Sequence, residues 1–210
     1  MELARPTLRG VSHRFAFFIA LGAGVTMVAQ ARALPALVTT AIYAATLAAL
    51  FGISSTYHLH PGDLRARRGW QRADHAMIFI FIAGTYTPIS LLAVGGADGI
   101  KLLALVWIGA GLGALRAIAW PDAPRVISTV LYLALGWAMV WYWPAVRAAL
   151  SPVGLALLFA GGACYTVGAV IYALRRPDPL PAVFGYHEVF HALVIAGSAC
   201  HFALVLMVVR

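Results

Sequence analysis

Seven apolar stretches, each close to the length that carries a helix across a bilayer, are the strongest constraint on what this 210-residue chain can fold into. They lie near 13–32, 36–59, 75–95, 100–119, 125–146, 152–174 and 187–209. A hydrocarbon core needs roughly 20 helical residues to cross. Hydrophobic residues make up 62% of the chain and charged residues 10%. A soluble domain carries about 25% charged residues, and no soluble fold could cover so much apolar surface. The runs are continuous rather than alternating, which excludes a transmembrane barrel. Helices remain, because backbone in lipid must satisfy its own hydrogen bonds. The expectation is an all-α, polytopic membrane protein, a seven-transmembrane helix bundle forming a single domain over 1–210.

Turn chemistry marks the breaks. Pro35 ends the first connection, Gly95-Gly96-Ala97-Asp98 supplies the third and Pro121-Asp122-Ala123-Pro124 the fourth. Ser151-Pro152 has the pattern of an N-cap followed by proline at the first helical position. Pro177-Asp178-Pro179-Leu180-Pro181 cannot be helix. Gly109 and Gly113 could allow close helix approach, for which internal packing is as good an account as a dimer. Cys164 and Cys200 both sit inside apolar runs and form neither a disulfide framework nor a cysteine zinc motif.

The net charge of +8 does not point to nucleic acid, because the basic residues sit in the short connections, where topology signals belong. With the N-terminus inside, the inner segments carry Arg5, Arg9, Arg14, Arg65, Arg67, Arg68, Arg72, Arg116, Arg125, Arg175 and Arg176. The outer segments carry Arg32, Lys101, Arg147 and Arg210, so the balance of eleven to four favours a cytoplasmic N-terminus and an external C-terminus. The basic start, the run Phe15 to Val28 and Ala31-Arg32-Ala33 also have the form of a secretory signal. Cleavage after Ala33 would leave six spans in the same orientation.

Polar residues within membrane spans are costly and each needs a reason. Ser54 and His58 share one helix face at the inner end of the second span, Asp74 and His75 open the third, and His187 and His191 open the seventh. All fall at one membrane depth under the topology above. Histidines at i and i+4 can present two imidazoles to one metal, and a third from another helix completes an open set suited to Zn2+. Zinc lowers the pKa of a bound water towards ~7. Asp74 could hold that water or move its proton, and Ser54 could donate to a developing oxyanion or to substrate. Without a metal, the same histidines could tie helix ends together. His201 lies about 15 Å further along its helix than His191 and is expected to pack mid-membrane. His13 and His60 are expected at the interface, and His75, rotated about 100° from Asp74, should face elsewhere. His187-Glu188-Val189-Phe190-His191 also fits H-E-x-x-H, in which Glu188 would be the general base of an intramembrane protease and Asp74 its third ligand.

Three segments in order resemble the haemolysin III family, the bacterial branch of the progestin and adiponectin receptor superfamily. They are Ser54-Ser55-Thr56-Tyr57-His58; Asp74-His75-Ala76-Met77-Ile78 with Ile82-Ala83-Gly84-Thr85-Tyr86-Thr87-Pro88; and His187-Glu188-Val189-Phe190-His191 with His201-Phe202. Ser128-Thr129-Val130-Leu131-Tyr132 with Gly136-Trp137, and Gly161-Gly162 with Tyr165-Thr166-Val167-Gly168, are similar to the family's fifth and sixth spans. Ser12-His13 matches a Ser-His pair before the family's first helix, which argues for retaining span one. Arg14 stands where a glycine usually follows, and the acidic stretch before the pair is absent.

The resemblance implies seven spans, a cytoplasmic N-terminus in a bacterial inner membrane, and a zinc ion held by His58, His187 and His191, with Asp74 against the zinc-bound water and Ser54 beside it. It leaves three functions open. One is a zinc-dependent hydrolase of lipid amides or esters, by analogy with ceramidase-like members of the superfamily. The others are a non-enzymatic sensor or regulator of membrane state with structural zinc, and a pore-forming cytolysin. Membrane lipids are the expected partners, as substrate, ligand or solvent.

Overall fold

The computed structural model describes residues 6–59 and 63–209; Arg5, His60 and Arg210 lie outside them. Among the described residues there are seven helical spans and no strand. They are α1 (Val11–Gln30), α2 (Leu34–Leu59), α3 (Leu64–Pro88) running into a π-helical stretch (Ile89–Val94), and α4 (Gly96–Ala119). The fifth span comprises α5 (Arg125–Gly136), a 3₁₀ segment (Ala138–Tyr142) and α6 (Trp143–Ala149); α7 (Pro152–Leu174) and α8 (Tyr186–Val209) complete the bundle. Large side chains such as Ile19, Leu34 and Trp141 are about 70% exposed, which suits a protein whose solvent is lipid.

The expected breaks fall where turn chemistry put them. Gly95 and Gly96 take φ of 62° and 54°, a left-handed bend open to glycine that separates α3 from α4. Ser151 accepts from the Gly154 amide at 3.1 Å and Pro152 opens α7. Residues 175–185 leave the helix. Gly109 and Gly113 are spent within the bundle: a Cβ on Gly109 would meet Leu135 at 2.7 Å, and one on Gly113 would run into Phe79.

Two spans differ from the sequence expectation. The third does not open at Asp74 and His75. Asp63 accepts from the Ala66 amide at 2.7 Å and starts α3 at Leu64, so these residues sit about three turns inside it. Leu, Arg, Ala and Gln are good helix formers, and the helix therefore continues past the apolar run. The fifth span is broken at Gly136-Trp137. Tyr86 mends the break from another helix: its hydroxyl donates to the Gly136 carbonyl at 2.6 Å and accepts from the Met139 amide at 3.2 Å. Backbone groups freed in a membrane interior need such substitutes.

One core gathers Met27, Tyr43, Phe51, Phe81, Val194 and Val205 from α1, α2, α3 and α8. A second joins Phe79, Leu102, Val106, Leu158 and Leu204. Buried threonines within them are satisfied locally; Thr85 and Thr87 donate to the carbonyls of Phe81 and Ala83 at 2.9 and 2.8 Å. The first core lies below the ends of α1, α2 and α8 that carry His13, His58 and His187.

Candidate metal centre

His58 occupies the last turn of α2, and His187 and His191 the first turns of α8. Each offers one ligand atom, and the three atoms lie within 4.8 Å of one another. The Nε2 atoms of His58 and His187 are 3.1 Å apart. Two nitrogens bound to one tetrahedral zinc stand about 3.3 Å apart, given Zn–N bonds near 2.0–2.1 Å, so the pair is spaced as ligands would be. His191 is 2% exposed and its buried Nδ1 has no hydrogen-bond partner among the described residues. A neutral imidazole set with an orphaned buried nitrogen fits a divalent transition metal. The three-histidine grouping read from the sequence therefore converges in space.

The other readings divide. The Asp74 carboxyl meets the Ser54 side chain, and both line the same cavity as the three histidines. His75 stays outside the histidine group although the residue borders that cavity, and its carbonyl accepts from Tyr132 at 3.1 Å. His201 packs away from the group, with Nε2 3.2 Å from the Leu158 carbonyl.

His13 has neighbours that the sequence did not reveal. It is 3% exposed, its ring stacked on that of His191 at 3.7 Å and 9° and set edge-on to Phe51 at 5.1 Å. Neither of its ring nitrogens has a partner among the described residues. The reason lies just before it. Gly10 takes φ of 77°, and a Cβ there would come within 2.6 Å of the His58 Cβ. The chain thus enters α1 hard against the end of α2, with His13 turned inward. The Ser12-His13 pair was the available signal, but it spoke to the span's retention and not to its burial.

Glu188 also departs from one expectation. Its carboxylate pairs with Arg9 and accepts from the Gly185 amide at 2.8 Å, closing the start of α8 in the manner of a capping box. It is engaged away from the histidines. The third histidine of the group is His58, so Asp74 is not needed as a ligand. The arrangement does not supply the free general base that a H-E-x-x-H protease requires.

One cavity of about 530 Å³ opens in front of this centre. Arg9, Tyr57, Arg67, Asp122, Arg125 and Tyr186 line its polar end, and Leu50, Ile78, Phe81, Ile82, Leu133 and Val194 its apolar walls. It extends to Thr85, Tyr86 and His201.

Comparisons with known proteins point to one family. The profile of the family described as Haemolysin-III related matches residues 1–202. A "Hemolysin-3 homolog" of Bacillus subtilis (strain 168) is 38% identical over 133 residues, covering 63% of this chain and 60% of the relative. "Hemolysin-3" of Bacillus cereus is 32% identical over 176 residues, 83% of this chain and 76% of that protein. The human "Monocyte to macrophage differentiation factor" is 26% identical over 169 residues, 79% of this chain and 68% of the relative. The fold, the histidine group and the match over 1–202 together place the chain in the haemolysin-III related family.

Proposed function

We propose that this protein is a zinc-dependent hydrolase of lipid amide or ester bonds, working from a site near the cytoplasmic face of a bacterial inner membrane. One observation carries the reading: a single cavity holds His58, His187, His191, Asp74 and Ser54 at a polar end and continues between apolar walls. That combination suits an amphiphile whose labile bond lies at the boundary between head and tail. The positive-residue balance supports a cytoplasmic N-terminus.

In this reading His58, His187 and His191 hold the ion, which when bound supplies Lewis acidity and makes water acidic enough to ionise near neutral pH. Asp74 accepts a proton at its carboxylate and returns it to the leaving group. Ser54 orients that carboxylate from α2. The apolar walls exclude bulk water and hold the acyl chain, so that the scissile bond rests between Asp74 and the histidines. A chamber of about 530 Å³ would suit a substrate or a sensed ligand alike; the carboxyl of Asp74 and the hydroxyl of Ser54 beside the histidines favour the enzymatic reading over the sensor.

The test is metal content and acyl-lipid turnover of purified protein in nanodiscs. Wild type is expected to carry one zinc and His187→Ala none. Asp74→Asn should keep fold and zinc but lose turnover. Stoichiometric zinc with no hydrolysis of any acyl amide or ester would overturn the enzymatic reading. A wild type that holds no zinc under metal-replete purification would overturn the metal centre.

A further inference from the structure

The polar end of the cavity carries a cation that the chemistry above does not use. Arg125 opens α5 and lines the cavity. A cation at a helix N-terminus faces the unfavourable end of the macrodipole, so its place there needs another reason. Its Nη1 donates to the Tyr186 hydroxyl at 3.0 Å and its Cζ stands 5.3 Å from the centre of the Tyr172 ring. Those two contacts fix the guanidinium and leave most of its five donors uncommitted. Among the described residues, no carboxylate lies within ion-pair distance of it, although Asp122 lines the same mouth; Glu188 is taken by Arg9. Tyr172 links Arg125 to the metal centre, since its ring also stands 5.7 Å from that of His187 and 5.1 Å from that of Phe190.

We propose that Arg125 is the headgroup-selecting residue of this cavity, and that the cavity takes a single-chain amphiphile with an anionic head, a phosphate or carboxylate. The proposal rests on the cavity being the ligand chamber and names what enters it. A planar guanidinium held by two tyrosines matches such oxyanions, to which it can donate two parallel hydrogen bonds. The N-terminal dipole of α5 adds attraction for the same charge. Below the head, the chamber runs from His191 to His201, about 15 Å along α8. An extended chain of roughly a dozen carbons spans that length. A neutral head would forgo the charge-assisted hydrogen bonds that the half-buried guanidinium can donate to an oxyanion, and that difference gives the selectivity.

The experiment is native mass spectrometry of the zinc-loaded protein in a neutral detergent, titrated with dodecyl phosphate, dodecanol and inorganic phosphate. Wild type should bind dodecyl phosphate about tenfold or more tighter than dodecanol, and inorganic phosphate far more weakly. Arg125→Gln should abolish the preference while leaving dodecanol binding and zinc content intact, and Arg125→Lys should restore part of it. Equal binding of the two amphiphiles by wild type, a preference that survives Arg125→Gln, or inorganic phosphate binding as tightly as dodecyl phosphate would each overturn the proposal. A preference intact in protein that never holds zinc would support headgroup selection while sinking the metal reading, so the two fail separately.

Discussion

Replacing Glu188 by glutamine separates a structural carboxylate from a catalytic one. Glu188 is 2% exposed and Arg9 19%. Removing one partner of a buried ion pair costs about 3–5 kcal/mol when both charges are sealed. Water reaches Arg9, so the expected loss is nearer ~2–3 kcal/mol. Glu188→Gln keeps an acceptor for the Gly185 amide but turns an N–H towards the guanidinium, so the pair is lost while the cap survives. Arg9→Gln should cost a similar amount, and the double variant should be less damaging than the sum of the two by at least ~1 kcal/mol, because both changes break one interaction. SDS-driven equilibrium unfolding in mixed micelles reads these values. All three proteins should still bind zinc stoichiometrically, since neither residue belongs to the histidine group, but with lowered affinity, because the pair fastens the N-terminal segment that bridges α2 and α8. Strict additivity, or a Glu188→Gln protein as stable as wild type that has lost turnover, would refute this account and revive Glu188 as a general base.

Other consequences are equally direct. His58→Ala should abolish zinc binding and His201→Ala should spare it, as read by elemental analysis. His13→Phe should preserve the stack on His191 and hold zinc affinity near wild type, whereas His13→Ala should lower it about tenfold, measured by chelator competition. Gly84→Ala should destabilise by about 1–3 kcal/mol through overpacking against Thr46, and Thr46→Ala should recover part of that loss in thermal unfolding.

The spans were legible because a bilayer demands long uninterrupted apolar runs, and the breaks because Gly95-Gly96 and Ser151-Pro152 act locally. The histidine group was legible for a related reason: i, i+4 spacing is a local property of α8, and only the partner His58 had to be found at matching depth. What escaped depends on distant atoms. The break at Gly136 is stabilised by a tyrosine hydroxyl 50 residues earlier in the chain, which no window over 125–146 could contain. The early start of α3 is helical without being apolar, so hydropathy stops short of it. His13 lies at the head of an apolar run, and its stacking on His191 follows from the turn at Gly10, which no local pattern reveals.

That turn bears on why the centre forms at all. In lipid there is no hydrophobic force to draw one helix against another, so close approach relies on packing and on polar contacts. Both are concentrated around the histidines. Gly10 lets the chain before α1 touch the Cβ of His58. The amides of Thr7 and Leu8 donate to the carbonyls of Ala182 and Val183 at 3.1 and 3.2 Å, tying the same N-terminal segment to the loop before α8. Arg9 then fastens that segment to Glu188, between the two histidines of α8. The N-terminal segment therefore bridges α2 and α8, the two helices that supply the ligands. Loosening it should move His58 relative to His187 more than any change deeper in the bundle, which makes Arg9 and Gly10 the positions where the geometry of the centre is most exposed to mutation.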